Sequence, residues 1–209
     1  LWDLAPHDIA LLLDLLDAEP LVISARGAAY VRPGIHDVAY IELRFPHKVM
    51  AHVHVSWLDP SKVRRLTVIG SKRMAVLDDT AADKLQVFDR GVEAVADADG
   101  TPNLLYRYGE GTSIPLPDDE PLRRQCAAFL DAIRGRTDAR PYARQALAVV
   151  RILEHADRSL RNGGYRQWLA WDATERVRPA NRPPAARLYH GPGTWLAGSR
   201  PARTTEKAS

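Results

Sequence analysis

The chain has 209 residues, of which 45% are hydrophobic and 26% charged, so it can bury a sizeable core and is excluded from wholesale disorder, collagen-like repeats and coiled-coil arrays. A single cysteine, Cys126, excludes an internal disulfide framework and a zinc thiolate cluster, and the longest apolar run, residues 9–16, is interrupted by Asp14 and is far too short to span a bilayer. The net charge of +3 is uneven, with +5 in residues 165–209 and −2 in residues 1–164; no finger spacing or aromatic platform accompanies the basic end, which reads as a solvated tail without a specific nucleic-acid partner. A cytoplasmic protein with no membrane partner is expected.

Ile9, Leu12, Leu13 and Leu16 recur at helical spacing behind Pro6, and Glu19-Pro20 stops the run, which predicts a helix over residues 5–18. Residues 21–31 read as a strand turned by Arg32-Pro33-Gly34. Residues 37–45 and 49–57 then flank Pro46-His47-Lys48 as a hairpin. Pairing Phe45 with Val49 sets Leu43 against Ala51, Ile41 against Val53 and Ala39 against Val55 on one apolar face. The other face pairs Arg44 with Met50, Glu42 with His52, Tyr40 with His54 and Val38 with Ser56, a mixture that meets water, ligand or another subunit. The loop lacks the glycine that a three-residue hairpin prefers at its left-handed position.

Residues 63–69 and 74–77 form a second predicted hairpin, followed by strands over 84–89, 104–108 and 113–116, the last two separated by a turn at Gly109-Glu110-Gly111. The period then changes to 3.6. Leu122, Cys126, Phe129, Leu130 and Ile133 make one helical stripe ending at Gly135; Ala146, Val149, Val150, Leu153, Ala156 and Leu160 make another, closed by Gly163-Gly164. Residues 165–171 read as a last strand, and the Pro- and Arg-rich residues 172–209 as a disordered tail. A helix, a succession of strands and two closing helices define an α+β domain over residues 1–171: a large, mainly antiparallel open sheet with helices packed on one face.

Asp3 and His7 stand four apart at a helix entrance, a spacing that suits a carboxylate orienting an imidazole. The same residues also fit a helix N-cap and a first-turn surface histidine. The opening LWDLAPHDI, the stretch SWLDPSKVRRLTVIGSKRMAVLDD over 56–79, EPLRRQCAAFLDAIRG over 120–135 and ALAVVRILEHADRSLRNGG over 146–164 together resemble the carboxy-terminal domain of the Gfo/Idh/MocA oxidoreductases, the relatives of glucose-fructose oxidoreductase and inositol dehydrogenase. The resemblance implies a two-domain enzyme whose amino-terminal Rossmann half binds NAD or NADP while this half lines the site for a sugar, nucleotide-sugar or polyol and carries the homo-oligomer contact. It also implies that His7 takes the hydroxyl proton as hydride moves to the nicotinamide and that Asp3 positions His7 or the substrate.

The sequence holds no G-x-G-x-x-G after a strand and no catalytic-lysine motif, so the chain, which opens on Leu1, is expected to be a fragment that binds no dinucleotide alone. His36, Arg64 and Arg65 are further substrate candidates, with Lys62 beside them; a solvated loop or strand edge is their plainer reading. His52 and His54 with Glu42 offer metal-ligating types on one strand face, but no second shell can be argued and no metal is expected. Cys126 on its helical stripe reads as a buried small apolar residue, and Trp57, Trp168 and Trp171 as packing. Two classes stay open: the substrate and oligomerisation half of an NAD(P)-dependent dehydrogenase, or a non-catalytic scaffold that has lost its Rossmann half.

Overall fold

The computed structural model describes residues 1–96, 100–117 and 120–171, and the predicted tail lies outside them. The described residues divide into two compact units, one comprising residues 1–58 and 131–171 and the other the described residues between 59 and 130. Its antiparallel strands form two four-stranded sheets rather than one large sheet, with one sheet in each unit.

The first unit opens with helix α1 (Ala5–Leu16), which ends two residues before the expected boundary because Asp17 adopts a left-handed conformation (φ 49°) and donates its N–H to the Leu13 carbonyl. Strands β1 (Val22–Ala28), β2 (Val38–Arg44) and β3 (Met50–Ser56) follow, and the two-residue β8 (Gln167–Trp168) completes the order β3-β2-β1-β8. The β2–β3 ladder has the register that alternation predicts, from Val38 opposite Ser56 to Arg44 opposite Met50. Its turn is a single 3-10 step over Pro46–Lys48 in which His47 (φ 60°) and Lys48 (φ 62°) occupy left-handed positions without glycine.

Alternation puts Ala39, Ile41, Leu43, Phe45, Val53 and Val55 on the core face, with Ile23 and Ala25 from β1 beside them, all buried. Ile9 and Leu13 of α1, and Ile152, Leu153 and Ala156 of helix α3 (Arg140–Arg161), are buried with them, and both helices pack on this sheet. The apolar stripes found in the sequence are therefore the faces that close this core. Helix α3 starts six residues before its stripe, where the Asp138 carboxylate accepts the Arg140 N–H at 3.0 Å and Pro141 occupies the first turn. Gly27 permits the close approach of α3 to β1: a Cβ there would lie 2.3 Å from the Val38 carbonyl oxygen and 3.1 Å from Leu160 Cδ2.

The second unit is a meander of β4 (Arg65–Ile69), β5 (Met74–Asp78), β6 (Leu85–Ala96) and β7 (Pro102–Ile114) in sequential order. Strand β6 outruns β5, and beyond a register shift between Phe88 and Arg90 it pairs with β7 alone as a two-stranded ribbon. One ribbon face carries Val92, Ala94, Ala96, Pro102, Leu104, Tyr106 and Tyr108; the other carries Glu93 ion-paired to Arg107. The expected turn at Gly109-Glu110-Gly111 is absent, because β7 runs unbroken through it. These glycines serve close packing: Cβ atoms at Gly109 and Gly111 would lie 2.3 Å from the Asp89 carbonyl oxygen and 2.6 Å from the Phe88 ring.

Helix α2 (Pro121–Ile133) begins where the Glu120 carboxylate accepts the Leu122 N–H at 3.0 Å and that of Arg123. None of its residues is buried, so of the two later helices only α3 closes a core. Cys126 is exposed, against the expectation of burial, because the stripe it belongs to is uncovered. No helix among the described residues is long and apolar enough to cross a membrane.

Gly27→Ala should destabilise the fold by about 1–3 kcal/mol, the usual cost of forcing a packed backbone apart, because the obstacle is the β2 backbone itself. Chemical denaturation of the variant beside the parent chain checks this, and an unchanged midpoint refutes it.

Candidate functional site

The entrance of α1 has an unusual construction. Leu4 occupies the N-cap position in a helical conformation without a side-chain cap, and the Ala5 N–H turns back to the Leu1 carbonyl at 3.0 Å. Asp3 therefore does not cap the helix, which removes one of its two sequence readings. Its exposed side chain stands in the turn before the helix, while His7 is exposed in the first helical turn. No hydrogen bond joins the two among the described residues. Ala5 and Ile9 are buried, fixing the backbone on either side of His7.

Beside His7 stands Asp8, whose role the sequence did not suggest. Burial among its neighbours raises the Asp8 carboxyl above its ordinary value, and the nearby His7 charge pulls in the opposite direction. In sequence, His7 is preceded by Asp3 four residues earlier and followed directly by Asp8. An exposed imidazole is chemically able to accept a proton from an approaching hydroxyl.

His36 is half-buried in the loop between β1 and β2. The adjoining Asp37 holds that loop: its carboxylate accepts the N–H groups of Tyr30 at 2.6 Å and Val31 at 2.8 Å, while its backbone bonds to Ala28 and Trp57. Arg64 and Arg65 belong to the second unit. Arg64 lies 3.6 Å from the Asp79 carboxylate, which Lys84 also holds at 3.0 Å. The Lys84 hydrogen bond and charge lead in lowering the Asp79 carboxyl, with Arg64 adding to them. Arg65 is opposite Asp78 in the β4–β5 register, and the Asp78 carboxyl is lowered chiefly by its hydrogen bonds to Thr80. An anionic substrate at either arginine would compete with these acids.

On the open face of the first sheet, the Tyr40 and His54 rings stack with centroids 4.5 Å apart. His52 faces Glu42 across the ladder, but the Glu42 carboxylate is held by Arg44 at 2.9 Å. Among the described residues no three His, Cys, Asp or Glu form a group able to hold a metal ion. Trp57 and Trp168 are exposed rather than packed. Trp171 is held on both sides, its Nε1–H donating to the Pro20 carbonyl at 2.7 Å and the Arg151 guanidinium lying 5.2 Å from its ring centre.

Residues 1–76 match the family model of the GFO/IDH/MocA C-terminal domain. No curated protein matches the sequence. Among solved structures, UDP-N-acetylglucosamine 3-dehydrogenase GnnA from Acidithiobacillus ferrooxidans superposes with a TM-score of 0.59 at 22% identity, covering 77% of this chain and 48% of that one. The WlbA dehydrogenase from Bordetella pertussis, solved with NADH and UDP-GlcNAcA, gives 0.54 at 19% identity over 80% of this chain and 44% of that one. A protein from Magnetospirillum magnetotacticum MS-1 is 30% identical over 74% of this chain and 47% of its own, with a TM-score of 0.55. The chain spans about half the length of these solved relatives.

The raised Asp8 carboxyl predicts a pH effect on stability. A carboxyl whose folded-state pKa lies above its unfolded value of 3.8 favours the folded state less as pH rises through that interval. Asp8→Asn should therefore gain stability relative to the parent at neutral pH, and the gain should vanish below pH 3.8. Thermal midpoints of both proteins across the acid range check the sign; a gain that is independent of pH would remove the assigned cause.

Proposed function

We propose that this chain, whose residues 1–76 match the GFO/IDH/MocA C-terminal domain, is the substrate-binding half of a cytoplasmic NAD(P)-dependent oxidoreductase acting on a hydroxyl of a sugar, nucleotide-sugar or polyol. The observation that carries this reading is the exposed His7 between Asp3 and Asp8 at the start of α1, inside the matched domain. The dehydrogenase neighbours, one named for a UDP-sugar and another solved with NADH and a UDP-sugar, support the substrate and cofactor classes.

His7 accepts the proton of the reacting hydroxyl. Asp3 orients the ring or the substrate. His36, Arg64 and Arg65 are assigned to substrate contact. The dinucleotide would supply the hydride acceptor, but the described residues contain no strand, glycine-rich turn and helix in succession to present backbone N–H groups to a pyrophosphate. The residues present do not fit that cofactor, so the chain's own contribution is confined to the proton and to substrate placement. Self-association through the open face of the first sheet completes the proposal.

Joined to a dinucleotide-binding half, the domain with His7→Ala should lose roughly 100-fold or more in turnover, the usual worth of a general base. Asp3→Asn should lose less, and neither should move the unfolding midpoint, since both side chains are exposed and neither caps the helix. An unimpaired rate in the His7 variant would remove the catalytic assignment and leave the scaffold reading. Calorimetric titration of this chain alone with NADH and NADPH should show no saturable heat, and micromolar binding of either would overturn the division of labour.

A further inference from the structure

Strands β4 to β7 pair so that one face of the second sheet is apolar across its full width. Leu66, Leu77, Leu85 and Ile114 stand abreast on the four strands, and Val68, Ala75, Val87 and Thr112 form the next row on the same face. The six of these residues on β4, β5 and β6 are half-buried, and Ile114 is 40% exposed. A sheet face of this kind is stabilised when a second layer lies against it. The helix of this unit is α2, and none of its described residues is buried, so the chain does not cover the face with its own helix.

The pattern of α2 is nevertheless that of a covering layer. Leu122, Cys126, Phe129 and Leu130 fall on one helical face, where Leu122, Phe129 and Leu130 are exposed by 62%, 67% and 46% with Cys126 exposed among them. One unit thus holds both parts of a helix-on-sheet contact without assembling them. The charges beside the two apolar surfaces are opposite in sign: α2 carries Arg123 and Arg124 against Asp131, whereas the turn over residues 78–84 carries Asp78, Asp79 and Asp83 against Lys84.

We propose that α2 of one copy of this chain packs on the apolar face of the second sheet of another copy, with the same contact repeated about a two-fold axis. Exchange of an identical element between protomers satisfies both uncovered surfaces at once, and the two-fold closes the assembly. A helix of 13 residues is about 20 Å long and 10 Å wide, so two such contacts remove on the order of 1,200 Å² from water, enough for a specific interface. This contact is distinct from the self-association assigned to the open face of the first sheet, and it requires neither His7 nor a dinucleotide.

The single cysteine supplies the test. The 209-residue chain carrying Ala75→Cys and Cys126→Ser is mixed with the parent chain at micromolar concentration and treated with a short bismaleimide, and the products are separated on a denaturing gel. A covalent heterodimer is expected, joined between the thiol introduced on the sheet and Cys126 on the stripe of α2. Phe129→Asp in the parent partner should lower its yield about tenfold or more, because the exchanged contact would bury an unpaired charge. Phe129 is exposed in the single chain, so this variant should keep the parent's circular dichroism. Tyr40→Asp, on the open face of the first sheet, should leave the yield unchanged, which separates this contact from that association. Absence of the heterodimer, an undiminished yield with Phe129→Asp, or a yield that falls with Tyr40→Asp overturns the proposal. So does a bridge formed only within one chain when Ala75→Cys is made alone.

Discussion

Ser159 is the buried polar residue on which the first unit turns. Its hydroxyl accepts the Ala25 N–H at 2.9 Å and donates to the Tyr165 carbonyl at 2.7 Å. Strand β8 pairs with β1 only at Val22 and Ile23, so Ala25 lies beyond the reach of that short neighbour, and its N–H would otherwise face the interior unpaired. An unsatisfied buried donor costs about 1–3 kcal/mol, and Ser159 removes that cost with an atom supplied by α3. The same atom therefore terminates the sheet, docks the last turns of α3 on β1 and sets the path of the chain into β8. The entrance of α1 depends on this arrangement at one remove, because α1 packs against both α3 and β3.

The two faces of this sheet are specialised by the same alternation. Every second residue of β2 is buried under α1 and α3, and the intervening residues form the polar and aromatic face. A pleated strand cannot serve one face without presenting the other. His7 stands in the first turn of a helix that packs on the apolar side, while Tyr40, Glu42, His52 and His54 occupy the uncovered side. The second unit has no equivalent division of labour. Its only buried residue among those described is Gly91, which the Arg107 guanidinium overlies, and its cohesion comes from the strand ladder together with the ion pairs of Arg107 to Asp89 and Glu93.

What was legible in the sequence follows the range of the interactions. The β2–β3 register was readable because an apolar-polar alternation admits one pairing that buries Ile41 and Leu43, and a one-residue slip would expose them. The start of α1 was readable because Ile9, Leu12, Leu13 and Leu16 recur at helical spacing behind Pro6. Strand β7 was misread at Gly109 and Gly111, where glycine answers to a cross-strand neighbour and not to a local turn. The exposure of Cys126 was not readable either: a stripe declares which face is apolar, not whether anything lies against it. Around His7, Asp3 stood out by its spacing four residues earlier, while the adjacent Asp8 gave no comparable signal.

The hairpin between β2 and β3 shows how such a fold tolerates change. Its turn places His47 and Lys48 in a backbone region that favours glycine, so the loop follows the ladder instead of directing it. Register resides in seven paired positions of strand, each with a buried or open assignment, and the connecting residues are passengers. Mutational drift at this loop is therefore decoupled from the architecture. A lineage can sample new side chains at the tip of the hairpin, including ones that meet a different ligand or neighbour, without renegotiating which residues form its core.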